Sequence, residues 1–155
     1  MIEAEEKLAI SSLSKERLRL WLKLLKVSGQ IQDDIRQRLR IEFESTLPRF
    51  DVMSALARHP EGLKMSEISE LLRVSNGNVT GIVDRLVADG RALREAVPGD
   101  RRASRVRLTG TGRADFARQA ENHEAWVDGL LSKVGADEAA TMSDMLDLML
   151  EGTSK

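Results

Sequence analysis

Residues 75–90 read SNGNVTGIVDRLVADG, and this stretch decides the fold. Its apolar side chains recur at the i, i+3, i+4, i+7 and i+8 spacing of one helix face; they are Val79, Ile82, Val83, Leu86 and Val87. Ser75 can cap this helix, and Gly90 can end it as a C′ residue. A shorter helix precedes it across the turn Arg73-Val74, with apolar residues Ile68, Leu71 and Leu72. Two helices and a tight turn in roughly 25 residues predict a helix-turn-helix.

The opposite face of the second helix is small and polar where the helix begins. The N-terminal residues of a helix in the major groove reach base edges, where Asn can bond adenine and Ser or Thr can bond bases or phosphates. Gly77 and Gly81 lie in the same turns. Each costs a helix roughly 1 kcal/mol relative to Ala, a cost that a close approach to DNA would explain. Ordinary helix capping uses the same polar residue types and remains an alternative. The DNA contacts predicted from this helix are Ser75, Asn76, Asn78, Thr80 and, on the sugar-phosphate backbone, Arg85.

A basic β-hairpin follows. Residues 92–96 and 104–108 are short alternating runs, and residues 97–102 between them form a turn-rich loop. An arginine at a hairpin tip can enter the narrow minor groove. Asp100, two residues before Arg102, can hold that guanidinium in place. A solvated charged hairpin is the alternative. Arginines cluster on and beside the loop at Arg94, Arg101, Arg102, Arg105 and Arg107, and the contacts predicted here are Asp100, Arg101 and Arg102.

The flanking segments predict long helices. The first is expected to begin near Ser14, and burial of its two apolar stripes, one against a partner subunit, is the simplest account of them. One stripe consists of Leu18, Trp21, Leu22 and Leu25, and the other consists of Leu20, Leu24, Val27 and Ile31. Thr46 can cap the second helix, with Pro48 in its first turn. Thr109 can cap a long helix after the hairpin, and Asp137 can cap the last helix. We therefore expect dimerisation helices at residues 14–45 and 110–152 around a DNA-binding domain at residues 46–109.

Composition narrows the function classes. Lys and Arg total 24 and Asp and Glu total 25, but residues 64–109 carry a local charge of +3, as expected of a DNA-facing module in a neutral-to-acidic scaffold. The absence of cysteine excludes thiolate chemistry and cysteine-ligated zinc. His59 and His123 lie in separate elements, so no metal and no cofactor are expected. Without a phosphate loop, or a nucleophile paired with a base, the chain is not expected to be an enzyme. The first residues lack signal-peptide features, which favours a cytoplasmic protein.

Three segments resemble the MarR family of winged helix-turn-helix regulators. Residues 100–109, DRRASRVRLT, fit the family pattern D-x-R-x-x-x-V-x-L-T, residues 79–87 resemble its recognition helix, and residues 46–50 resemble the entry to its second helix. The resemblance implies a mainly α winged helix-turn-helix with a small β-hairpin wing, about six helices, and a homodimer formed through the N- and C-terminal helices. It also implies that Arg102 enters the minor groove braced by Asp100. Lys64 departs from the Ser or Thr cap that many members have at the start of the first short helix.

The same resemblance implies a sequence-specific DNA-binding transcriptional regulator, a repressor released from a palindromic operator by a small ligand. The entry to the second helix is similar to a branch associated with aromatic-acid catabolism, so the expected ligand is an aromatic anion or an aryl coenzyme A thioester. A solvated helix face is the alternative role of the cationic residues. A winged-helix protein-interaction module without DNA binding is the alternative function. The residues expected to receive the ligand are Trp21, Arg36, Arg38, Arg40, Arg49 and Phe50.

Overall fold

The computed structural model describes residues 1–72 and 76–152, with Asn76 described by its backbone alone. The predicted turn Arg73-Val74 and the predicted cap Ser75 lie outside these ranges. The described chain is mainly helical, with six helices and one small antiparallel sheet, which confirms the predicted fold class. The elements are α1 (Ile2–Phe43), α2 (Leu47–Arg58), β1 (Leu63–Lys64), α3 (Met65–Leu72), α4 (Asn76–Ala88), β2 (Ala92–Val97), β3 (Asp100–Leu108), α5 (Gly110–Leu130) and α6 (Ala136–Glu151).

Helix α1 is longer than predicted because it begins at Ile2 rather than near Ser14. The residues before Ser14 are mostly good helix formers, and Glu3 and Glu5 in the first turn interact favourably with the helix dipole. The C-cap residue of the helix is Glu44, whose φ of 50° is left-handed and whose N–H donates to the carbonyl of Leu39. The apolar residues in its N-terminal half are largely exposed in the single chain, and Trp21 is 54% exposed.

The hydrophobic core lies between α2, α3, α4 and the sheet. Helix α2 begins as predicted, with the Thr46 hydroxyl accepting from the Arg49 N–H at 3.2 Å and Pro48 in the first turn. The second helix of the predicted pair packs through its apolar stripe, since Val79, Val83 and Leu86 are fully buried. Their core neighbours are Val52, Met53, Ala55, Leu56, Leu63, Ile68, Ala92, Val106 and Leu108.

The ends of the two short helices have identifiable caps. Glu67 Oε1 accepts from the Lys64 N–H at 3.0 Å, so the start of α3 is capped by Glu67 although Lys64 offers no hydroxyl. Gly90, with φ of 72°, follows α4 as predicted. Its N–H donates to Val87 and the Arg91 N–H donates to Leu86, which is the hydrogen-bond pattern of a Schellman motif.

The sheet has the order β1-β3-β2 with antiparallel pairing. Strand β1 was not predicted from the sequence; it pairs Leu63 with Val106. The hairpin strands extend further than predicted, so the connection shrinks to Pro98-Gly99. Gly99 has a φ of 84°, the left-handed conformation that a type II turn requires after proline. Arg101 and Arg102 therefore belong to β3 and not to a loop.

The chain divides into two compact units, Met1–Glu121 and Asn122–Lys155, with α5 contributing to both. In the first unit, the Thr109 hydroxyl accepts from the Gly112 N–H at 3.0 Å and caps α5 as predicted. In the second unit, the residue preceding α6 is Gly135, and the prediction that Asp137 caps this helix is wrong. Glu138 Oε2 instead accepts from the Gly135 N–H at 3.4 Å. None of the helices in the described ranges has the length and low charge that crossing a bilayer requires.

Candidate nucleic-acid interface

The first turns of α4 present a small polar surface. Gly77, Asn78, Thr80 and Gly81 are exposed, while Val79 between them is fully buried in the core. A Cβ atom built on Gly77 or Gly81 would meet no atom of the described residues within 4 Å. Packing against the described residues therefore does not require glycine at either position. Ser75 lies outside the described residues, and the side chain of Asn76 is not described.

The structure sorts the five clustered arginines by their partners. Arg107 pairs with Glu95 at 2.7 Å, and Arg94 pairs with Asp84 of α4 at 2.6 Å. The stem of Arg105 lies beside Gly62, where an added Cβ would come within 2.6 Å of its Cγ. The guanidinium groups of Arg101 and Arg102 contact no acceptor among the described residues. These two cations remain available to an external anion.

At the tip of the hairpin, Arg101 and Arg102 of β3 have no paired residue on β2. Ala96 pairs with Ser104 but Val97 pairs with Asp100, so residues 101–103 have no counterpart on β2. Such a bulge redirects the side chains that it carries. Asp100 Oδ1 accepts from the backbone N–H of Arg102 at 3.1 Å. The carboxylate therefore braces the backbone at Arg102, whereas the sequence predicted that it would hold the guanidinium.

Arg85 lies at the other end of α4 from the polar turns. Its guanidinium is exposed, and its Nε lies 3.4 Å from Asp89 Oδ2. Nine residues at 1.5 Å rise per residue place Arg85 about 13 Å along the helix axis from Asn76. This position suits a contact with an anion more than a contact with a base edge beside Asn78.

A pocket of 560 Å³ lies between α1 and the start of α2. It brings together two of the expected ligand residues, Arg36 and Arg40; Arg36 is paired with Asp33 at 3.1 Å. Ser45, only 4% exposed, also lines it, and its buried hydroxyl has no hydrogen-bond partner in the part of the chain described. The full lining is Asp33, Arg36, Gln37, Arg40, Ser45, Thr46, Leu47 and Pro48.

The other expected ligand residues lie outside this pocket. Trp21 is fifteen residues before Arg36, about 22 Å along the same helix. Arg38 pairs with Asp34 at 2.7 Å. Phe50 is buried with its ring centroid 5.4 Å from that of Phe116, and Arg49 lines a different cleft. Ser45 was not predicted, because a single small polar residue between two helices produces no periodic signal.

The described ranges contain no group of three or more His, Cys, Asp or Glu side chains arranged to hold a metal ion. The candidate interface consists of exposed polar side chains and cationic groups. Two features define it: the polar turns of α4 at Asn78 and Thr80, and the guanidinium groups of Arg101 and Arg102 on the bulged tip of β3, which have no acceptor within the described ranges.

Comparison with known proteins agrees with this geometry. The sequence model of the MarR family matches residues 46–103. The HTH-type transcriptional regulator PecS of Dickeya dadantii is 27% identical over 94% of this chain and 81% of its own length. A MarR family transcriptional regulator from Silicibacter pomeroyi superposes with a TM-score of 0.77 and 33% identity, over 91% of this chain and 97% of its own. A cysteine-to-serine mutant of MarR from E. coli, complexed with operator DNA, superposes with a TM-score of 0.76 and 25% identity, over 87% of this chain and 96% of its own.

Proposed function

The chain belongs to the MarR family of transcriptional regulators, and we propose that it binds specific DNA sequences to regulate transcription. The observation that carries this proposal is the exposed polar surface at the start of α4, whose glycines are not required by internal packing. In this proposal Asn78 and Thr80, with Ser75 and Asn76, read base edges in the major groove. The E. coli relative bound to operator DNA supports a duplex as the partner.

The wing supplies the second contact. We propose that Arg102, together with Arg101, enters the minor groove and that Asp100 fixes the backbone that carries them. Arg85 is proposed as a ligand of phosphate oxygens. Guanidinium groups that lack a partner among the described residues lose no described ion pair when they bind phosphate, which favours Arg101 and Arg102 over the paired arginines of the same hairpin.

We propose that the protein binds DNA as a homodimer, which carries two DNA-binding domains. Residues 14–45 and 110–152 would form the dimerisation helices around a DNA-binding domain at residues 46–109. Large apolar side chains are exposed on both terminal helices of the single chain, which supports burial against a second copy. They include Leu18, Leu20, Trp21, Leu22 and Leu25 on α1 and Met142, Met145, Leu146, Leu148 and Met149 on α6.

We further propose that the protein is a repressor and that the pocket of 560 Å³ receives its effector. Arg36 and Arg40 would bind an anionic group, and the buried Ser45 hydroxyl would complete a hydrogen bond to the ligand. An aromatic acid or its coenzyme A thioester has such an anionic group. A ligand that favours a different separation of the two DNA-binding domains of the dimer lowers DNA affinity in proportion to that preference. If the ligand still releases the protein from DNA after the two domains are crosslinked at their DNA-bound spacing, this mechanism is wrong.

The experiment that tests the proposed function compares Asn78→Ala with the unaltered chain on two duplexes. One is a genomic fragment selected by the purified protein, and the other is a random duplex of equal length. We expect the variant to lose about tenfold in affinity for the selected fragment, since a bidentate base contact is worth ≈ 1–3 kcal/mol. Non-specific binding should hardly change. Equal losses on both duplexes would contradict the assignment of Asn78.

The competing function is a protein-interaction module without DNA binding. A chain that neutralises phosphates loses affinity as salt rises, with a slope of about −0.9 in log–log form for each contact. If the purified protein shows no preference for any duplex over heparin at moderate ionic strength, the DNA-binding proposal fails and the interaction module becomes the better account.

A further inference from the structure

The turn between α4 and β2 is fastened to the first turn of α5. The Thr109 hydroxyl donates to the Gly90 carbonyl oxygen at 2.7 Å, and the Thr109 N–H donates to the carbonyl oxygen of Arg91 at 3.0 Å. A Cβ on Gly112 would collide with the same Arg91 carbonyl, so the two backbones are in close contact here. The helix that we propose enters the major groove is therefore followed by a joint with α5, which comprises residues 89–91 and 109–115.

A buried carboxylate adds side-chain contacts to this joint. Asp115 is only 6% exposed, and its Oδ2 accepts from Arg91 Nε at 2.7 Å. Its Oδ1 accepts from Arg118 Nη2 at 2.7 Å, and the side-chain amide of Gln119 donates to Oδ2 at 3.3 Å. Of these three donors, only Arg91 lies outside α5. The Arg91–Asp115 pair is therefore a side-chain contact that crosses the joint.

Further charges extend this contact into α4. Arg91 Nη1 lies 3.6 Å from Asp89 Oδ2, and the same oxygen lies 3.4 Å from Arg85 Nε. Both distances exceed the 2.7–2.9 Å of a good charge-assisted hydrogen bond, whereas the Arg91–Asp115 distance falls within that range. The firmest of these three contacts is accordingly the one between the turn and α5.

The Arg91–Asp115 pair contributes more to geometry than to stability. Withdrawing a carboxylate and a guanidinium from water offsets much of their attraction, so a buried ion pair is weak evidence for stability. Gln119 Oε1 is also buried without a hydrogen-bond partner among the described residues, which costs further free energy. Hydrogen bonds from a planar guanidinium are directional, whereas apolar contacts are not. The pair therefore fixes the orientation of the turn at Arg91 relative to α5.

We propose that Arg91 and Asp115 are positioning residues that set the angle between α4 and α5 and thereby determine which spacing of half-sites the dimer accepts. This inference rests on the proposed function, in which α5 continues into the dimerisation helices. A dimer of this kind reads two half-sites about one turn of DNA apart, roughly 34–36 Å. A change in the angle at the joint moves the two α4 helices of the dimer relative to each other without altering the side chains that contact bases.

A small rotation at the joint is enlarged at the DNA. Asn78 lies ten residues from the end of α4 at Ala88, about 15 Å along the helix axis. A rotation of about 10° shifts a point at that distance by roughly 2.6 Å, and the shift occurs in both protomers. The combined displacement exceeds the rise of about 3.4 Å between neighbouring base pairs. Loss of the fixed angle should therefore be detectable as tolerance of a half-site spacing that differs by one base pair.

The test measures the affinity of the full chain for three duplexes. They are the genomic fragment selected by the purified protein and two versions with one base pair inserted or deleted between its half-sites. Arg91→Gln should lower the preference for the selected spacing about tenfold, because a hydrogen bond between charged groups is lost from the joint. Arg118→Gln is the matched control, since it removes a guanidinium at the same 2.7 Å from Asp115 in a pair that lies within α5. Its preference should equal that of the unaltered chain.

Two results of this experiment would overturn the inference. If Arg91→Gln weakens binding to all three duplexes by the same factor, the pair only stabilises the fold. If Arg91→Gln and Arg118→Gln change the spacing preference equally, the effect comes from net charge. Urea unfolding checks that each variant is folded. Arg91→Lys, which keeps the charge but loses the planar fork, replaces Arg91→Gln if that variant does not fold, with the same expected fall.

A second measurement needs no DNA. The chain has no cysteine, so Ala96→Cys on β2 and Ala117→Cys on α5, both at exposed positions, can each take one spin label. With the labelled chain diluted in unlabelled chain, electron–electron resonance gives the distances between the hairpin and α5. Arg91→Gln should broaden or shift their distribution and Arg118→Gln should not; no change in either variant would overturn the inference. If the chain prefers no duplex, the proposed function fails while this distance measurement remains valid, so the two failures are distinguishable.

Discussion

Arg94 of β2 is joined to Asp84 of α4, with Nη2 lying 2.6 Å from Oδ1. The pair connects the wing to the helix that we propose reads the major groove. Both side chains are more than a third exposed, at 38% and 55%. An ion pair exposed to this degree contributes little to stability, about 0–1 kcal/mol. Its consequence is geometric, because it ties the direction of the hairpin to that of α4.

Asp84→Asn tests this geometric role. Removing a negative charge near DNA would by itself strengthen binding. We expect the opposite, a fall of about fivefold in affinity for the selected fragment. The substitution removes an ion pair worth ~1 kcal/mol, so that β2 and β3 are no longer held in a fixed direction relative to α4. Fluorescence anisotropy measures the affinity, and Asp144→Asn on α6 is the control for charge. Unchanged or tighter binding by Asp84→Asn would show that the pair does not position the wing.

Gly81→Ala separates the needs of the fold from those of the interface. The added methyl group meets no atom within 4 Å in the described part of the chain, and alanine is the better helix former by about 1 kcal/mol. The free energy of unfolding, measured in urea, should therefore rise. DNA affinity should fall about tenfold or more if the methyl group displaces a base contact worth ≈ 1–3 kcal/mol. Gly129→Ala, also in open space, should leave DNA binding intact. Gains in both stability and DNA affinity for Gly81→Ala would mean that the duplex does not approach this turn.

Arg102→Ala should change the salt dependence of DNA binding. The guanidinium has no partner in the described chain, so its removal breaks no internal ion pair, and the melting temperature should stay the same. The slope of log affinity against log salt should become shallower by about 0.9, the value of one phosphate contact. Arg113→Ala on α5 is the control for net charge. An unchanged slope, with affinity lost equally at every salt concentration, would argue against a cationic role for Arg102.

Local signals predicted much of this fold. The apolar stripe of α4, the caps Thr46 and Thr109, and the C′ residue Gly90 each depend on residues within a few positions in the sequence. Helix caps, apolar stripes and C′ residues of this kind can be predicted from a single sequence. The early start of α1 was missed because Ser14 offers a good cap, while the helix-forming residues before it show no clear apolar stripe.

Features that depend on distant pairing were not predictable. Strand β1 has two residues, too few to show an alternating pattern, and it exists because it pairs with β3 more than forty positions later. The ion pairs Arg94–Asp84 and Arg91–Asp115 join elements that only the tertiary fold brings together. The sequence showed five clustered arginines, but which of them have internal partners depends on side-chain geometry. That difference decides which cations are available to DNA.

Among the described glycines, Gly112 is the one at which an added Cβ would meet its nearest neighbour. It lies buried in the first turn of α5, where a Cβ would come within 1.9 Å of the Arg91 carbonyl oxygen, the acceptor of the Thr109 N–H. Because this neighbour is backbone, Gly112→Ala must shift either α5 or the turn into β2. We expect a loss of about 3 kcal/mol in the free energy of unfolding, the upper end for overpacking. Gly110→Ala is the matched control, since a Cβ there meets no atom within 4 Å. Similar urea midpoints for the two variants would mean that α5 is free to move away from Arg91.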